Sequence, residues 1–113
     1  MELMAASSAH YGMPVETAEI EAYNERARDK LEEWREKFQS MKSKARKNEV
    51  DGVASYRELQ RMIQRRIKAA EETVEDLEAA GRNTWPDVRI HMEYAWEALE
   101  DTWAHWVASS FNR

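Results

Sequence analysis

The chain has 113 residues, 42% of them hydrophobic and 35% charged, with a formal net charge of −5 at pH 7 and no cysteine. This length suits one domain. The missing cysteines exclude disulfides, zinc–thiolate sites and thiol nucleophiles, and the acidic total opposes generic binding to nucleic acid or anionic membrane.

No apolar run approaches the roughly 18–20 residues that a spanning helix needs. The start, "MELMAASSAHYGMPVE", lacks a basic segment ahead of an apolar one, so no signal peptide is expected and a cytoplasmic protein is. Glycine and proline are scarce, three and two in all. Gly12 and Pro14 fall together in residues 1–15, which read as a flexible N-terminal arm. Residues 16–113 read as a single helical domain.

From Thr17 the apolar positions recur by threes and fours. Ile20, Ala27, Leu31, Trp34, Phe38, Met41 and Ala45 form a heptad seam, with Leu31 and Phe38 at a, Trp34 and Met41 at d, and Asn24 in the one polar slot. The spacing predicts a helix over about 17–48. Asp51-Gly52 then marks a turn, and Ser55 with Glu58 has capping-box spacing, with Asp51 as a competing cap. A second seam, Val53, Tyr56, Gln60, Ile63, Ile67, Ala70, Val74 and Leu77, predicts a helix over about 53–80, closed by Gly81 as a C′ glycine. So short a connection makes the two helices an antiparallel hairpin.

"GRNTWPD" is the second turn. Thr84 and Asp87 have capping-box spacing, and Pro86 is tolerated only in a first helical turn, which predicts a third helix over about 85–111. On it Trp85, Trp96 and Trp103 fall within about 20° of one another, flanked by Val88, Met92, Leu99, Trp106 and Val107. Its back is acidic, with Asp87, Glu93, Glu97, Glu100 and Asp101. The expected fold is all-α: an elongated antiparallel helical hairpin with a third amphipathic helix along it, a coiled-coil-like three-helix bundle.

Two readings of the tryptophan stripe stand side by side. A stripe at helical spacing packs into a hairpin groove, and Leu59 and Met62, apolar but outside the seam, offer a receiving surface. Tryptophan also anchors protein interfaces, and rings of this size outgrow a thin bundle. The acidic back argues against a membrane-surface helix, which carries Lys and Arg on its polar face.

Charge is segregated along the hairpin. Residues 35–68 hold eleven basic and four acidic side chains, which leaves −12 on the rest of the chain. Folding gathers Lys42, Lys44, Arg46 and Lys47 beside Arg57 and Arg61 at the turn end, and collects acid at the open end. Such a dipole can orient docking on a partner or on another copy. The basic end could touch phosphates, but it lacks aromatic interleaving and the acidic bulk repels a nucleic-acid backbone.

Asp87/His91 and Asp101/His105 are two Asp-x-x-x-His pairs about 21 Å apart. They cannot share an ion, each needs further ligands, and helix-stabilising pairs account for them. With no phosphate loop, nucleophile elbow or carboxylate dyad, no cofactor and no catalysis are expected.

The run "AYNERARDKLEEWREKF", the hairpin, and "TWPDVRIHMEYAWEALEDTWAHW" together resemble a broad, functionally uncharacterised group of short bacterial coiled-coil helical-hairpin proteins. The positions carrying the resemblance are Trp85, Ala95, Trp96 and Leu99, within a match from Ile20 to Phe111. Pro86 and the Gly-Pro arm depart from that pattern. The resemblance implies an all-helical bacterial protein and assigns no catalytic residue.

The function expected is non-catalytic protein–protein interaction, as an accessory or assembly subunit of a larger complex. Trp85, Trp96, Trp103 and Trp106 are the candidate anchors, and Lys42, Lys44, Arg46 and Lys47 orient the partner. The alternative is a self-associating structural coiled coil, and a metal-binding helical bundle stands third.

Overall fold

The computed structural model describes residues 16–111, with side chains described through Ala108; the expected N-terminal arm lies outside the described residues. Three helices follow one another: α1 (Thr17–Lys47), α2 (Ala54–Ala79) and α3 (Trp85–Phe111). They form an all-α three-helix bundle, and each boundary lies within a residue of its predicted place.

The seam on α1 is buried as its spacing requires: Asn24, Ala27, Leu31, Trp34, Phe38, Met41 and Ala45 all face inward. On α2 the buried set is Tyr56, Leu59, Ile63, Ile67, Ala70, Val74 and Leu77. Two seam expectations fail at the start of α2. Val53 is exposed and Gln60 only half-buried, while Leu59 takes the buried place. The cause is α3, which crosses this end of α2 from a second side and draws Leu59 and Met62 toward it.

α2 is the central helix, packed closely against both neighbours. The backbones of α1 and α3 stay further apart and meet through long side chains. Trp85 stands edge-on to Tyr23 at 5.3 Å, and Trp103 edge-on to Trp34 at 5.8 Å. The bulk of tryptophan is thus what fills the third side of the bundle.

One polar group ties all three helices. Asn24 Oδ1 accepts a hydrogen bond from Trp85 Nε1 at 3.0 Å, and Asn24 Nδ2 donates to the Leu77 carbonyl at 3.5 Å. A polar residue in one seam position fixes register where apolar contacts alone would allow sliding.

The turns differ from their expected chemistry. α1 ends in a Schellman arrangement: the Val50 amide donates to the Ala45 carbonyl and the Glu49 amide to the Arg46 carbonyl. The left-handed residue this needs is Glu49, with φ 58°, not a glycine. Gly52 and Gly81 are not left-handed, and space around both is open. The expected capping box of Ser55 and Glu58 does not form, because α2 starts at Ala54 with Val53 as an uncapped N-cap. Glu58 instead pairs with Arg61. Ala80 is extended and ends α2, so Gly81 is not its left-handed C′ residue. Pro86 does sit in the first turn of α3, where its missing amide costs nothing.

Charge is less strictly segregated than the sequence suggests. Arg28 pairs with Glu78 and Arg35 with Glu71, so acid and base meet across α1 and α2 in their middle stretch. These pairs are well exposed and contribute about 0.2–1 kcal/mol each at most. α2 has no acid in its first turn and no base in its last, so packing and not its ends holds it in place. No described helix is long and apolar enough to cross a membrane.

Candidate functional site

The four tryptophans of α3 divide into two pairs. Trp85 is 2% exposed and Trp96 5%. Trp85 is held by Asn24, and Lys30 Nζ lies 5.3 Å from the centroid of Trp96. Both rings are interior and present no surface to a partner. Along α3 the inward seam runs Trp85, Val88, Met92, Ala95, Leu99, Thr102 and Trp106, and Trp96 and Trp103 flank it on the α1 side.

Trp103 and Trp106 are only half-buried. Their ring centroids lie 5.1 Å apart. Together with Trp34 they make a line of three indoles leading from the interior to the turn end of the hairpin. Lys37 Nζ lies 4.6 Å from the Trp34 centroid and 5.9 Å from that of Trp103, closing the outer side by cation–π attraction.

Among the described residues the bundle does not close beyond Trp106. The end of α1, the 48–53 turn, the start of α2 and the end of α3 surround a groove of about 980 Å³. Val50, Val53, Leu59, Met62, Trp106 and Val107 give it an apolar floor and walls. The local sequence explains the gap. Ala45 and Ser55 are small where the helices would otherwise meet, and the Schellman turn folds Val50 back over the end of α1.

Tyr56 also lines the groove, and its hydroxyl is buried with no hydrogen-bond partner among the described residues. Burial, then the nearby Asp51 carboxylate, raise its pKa above the ordinary tyrosine value, while Arg46 opposes them.

Of the four basic residues expected to orient a partner, Lys44 lines the groove. Arg46 is close enough to act on Tyr56. Lys42 instead lies over Phe38, 4.6 Å from its centroid, and Lys47 is exposed at the helix end. Among the described residues no carboxylate pairs with Lys42, Lys44, Arg46, Lys47 or Arg57. The groove therefore combines an apolar floor with a net-basic surround. Glu58 on its rim is taken by Arg61, which lowers the Glu58 pKa through their hydrogen bond and charge.

Val50 is a groove residue that the seam pattern did not single out, while Val53 and Tyr56 belong to the second seam by spacing and yet line the groove. Leu59 and Met62, the apolar residues outside the seam, were the available signal. His91 and His105 are exposed, and among the described residues no three His, Asp or Glu side chains converge as metal ligands. No protein-family model matches the chain, and no curated protein or solved structure does either.

Proposed function

We propose that this chain is a non-catalytic protein–protein interaction module, an accessory or assembly subunit of the bacterial cytoplasm, which docks through the turn end of its hairpin. The observation that carries this reading is the half-buried Trp103–Trp106 pair beside an apolar groove with unpaired basic side chains around it. Two tryptophans that the interior does not fully claim are the kind of side chain that dominates binding energy at interfaces, at about 2–4 kcal/mol each. The unpaired lysines and arginines add orientation and on-rate more than affinity.

The anchors in this reading are Trp103 and Trp106; Trp85 and Trp96 support the bundle that presents them. Changing Trp106 to Ala tests it. The expected outcome is loss of the bound protein with helicity by circular dichroism retained, because Met92 and Leu99, fully buried further along α3, keep the helix docked. Equal loss of helicity and binding would return Trp106 to the interior and remove the basis of the reading.

The self-associating alternative is favoured by a separate observation. Ile90 and Tyr94 are 45% and 62% exposed on the outer face of α3.

A further inference from the structure

We infer that the occupant of the groove is a second copy of this chain, presenting the outer stripe of α3. This rests on the docking reading above and names its partner.

Among the described residues the exposed large hydrophobics are Val53, Ile90 and Tyr94. Val53 lines the groove at the basic end. Ile90 and Tyr94 lie toward the other end, one helical turn apart. At 100° per residue, Asp87, Ile90, Tyr94, Glu97 and Asp101 fall within about 80° of arc, and all five are exposed. Asp87, Glu97 and Asp101 have no basic partner among the described residues. The chain thus carries an apolar groove with an unpaired basic surround, and an apolar ridge set among unpaired carboxylates. Each surface has what the other lacks, in apolar content and in sign of charge.

The ion pairs that do form are confined to residues away from these two surfaces, except Arg61–Glu58, which neutralises the one carboxylate lining the groove. Glu49 and Asp51 in the adjoining turn offset part, not all, of the charge of Lys44, Arg46 and Lys47. Because groove and ridge are unlike surfaces, their contact leaves one of each free at the ends. Association then continues into rings or chains instead of stopping by necessity at two.

Sedimentation velocity from about 1 to about 300 µM covers the range expected of a small contact of this kind. The native chain, 13.3 kDa as a monomer, should gain mass with concentration. It should do so less at about 0.5 M than at about 0.05 M salt, where the screening length is about three times longer. Two double variants then test the faces. Lys44→Glu with Arg46→Glu reverses the groove side, at the last turn of α1 where Lys44 lines the groove and Arg46 lies close to Tyr56. Glu97→Lys with Asp101→Lys reverses the ridge.

Each variant alone should weaken association about tenfold or more, since like charges then face each other, with unchanged circular dichroism. An equimolar mixture should restore it, because each variant's groove then matches the other's ridge. A native chain that stays monomeric throughout overturns the inference, as does association that neither variant weakens. A monomer that still binds a different protein, and loses it with Trp106→Ala, overturns the second copy as occupant but leaves the docking reading intact. Loss of both refutes the two together.

Discussion

Replacing Asn24 with Leu is the substitution that an apolar-seam argument would call stabilising, and the structure makes it destabilising. Asn24 accepts from the Trp85 indole, whose ring is 2% exposed, so water cannot take its place. Leaving that N–H unpaired costs about 1–3 kcal/mol. The Leu77 carbonyl loses a long hydrogen bond but keeps the Ala80 amide at 3.4 Å, so it adds little. Against this, burying the extra apolar carbons of Leu returns about 1 kcal/mol. The net expectation is a loss of up to about 2 kcal/mol. Trp85→Phe alone should cost a similar amount or more, because it strands Asn24 and shrinks a buried ring. The double variant removes both polar partners together, so the two losses should fall short of adding by about 1–2 kcal/mol. Urea unfolding followed by circular dichroism, at low micromolar protein with the slope checked for constancy, measures all four corners of the cycle. Additive losses, or an Asn24→Leu variant more stable than the native chain, would refute this account of how the three helices are held in register.

Other consequences follow from single positions. Glu49→Gly should stabilise by about 0.5–1 kcal/mol in urea titration, since a left-handed residue with a Cβ is strained. Gly52→Ala and Gly81→Ala should be neutral or gain about 0.4–1 kcal/mol, because neither needs a left-handed backbone and the space is open. Tyr56→Phe should raise stability by about 1 kcal/mol in the same assay, as it removes a buried hydroxyl without a partner. Tyr23 donates to Glu93, and burial first, then that hydrogen bond and the Glu93 charge, raise its pKa far above the ordinary 10.0. Above pH 10 the unfolded chain releases this proton while the folded one keeps it, so the folded state binds more protons and stability falls as pH rises. Tyr23→Phe should remove the last-titrating phenol from the absorbance at 295 nm and flatten that alkaline decline.

The helices and most of the interior were legible because burial imposes a period that the sequence displays openly. On α1 every residue from Asn24 to Ala45 in the three-four pattern is buried. The turns were misread because glycine and capping spacing are only opportunities, and the backbone took others. It placed Glu49 in the left-handed position and left Gly52 outside it. The tryptophan stripe could be recognised but not divided. Trp85, Trp96 and Trp103 lie within about 20° on the helix, yet only their depth along the bundle separates buried Trp85 and Trp96 from half-buried Trp103. That depth depends on where α1 and α2 turn, which is a tertiary fact. The ion pairs across α1 and α2 were likewise hidden, since they depend on the stagger of the hairpin.

The docking claim is tested most directly by gentle purification of the native chain from its own source, with native mass measured beside a Trp106→Ala variant. The account predicts that the native chain, kept concentrated, emerges with protein bound: further copies in a number that grows with concentration, or another chain at fixed stoichiometry. The variant should emerge alone with the same helicity. A native chain recovered only as a 13.3 kDa monomer, or a variant that loses its helicity in step with its partner, would contradict it.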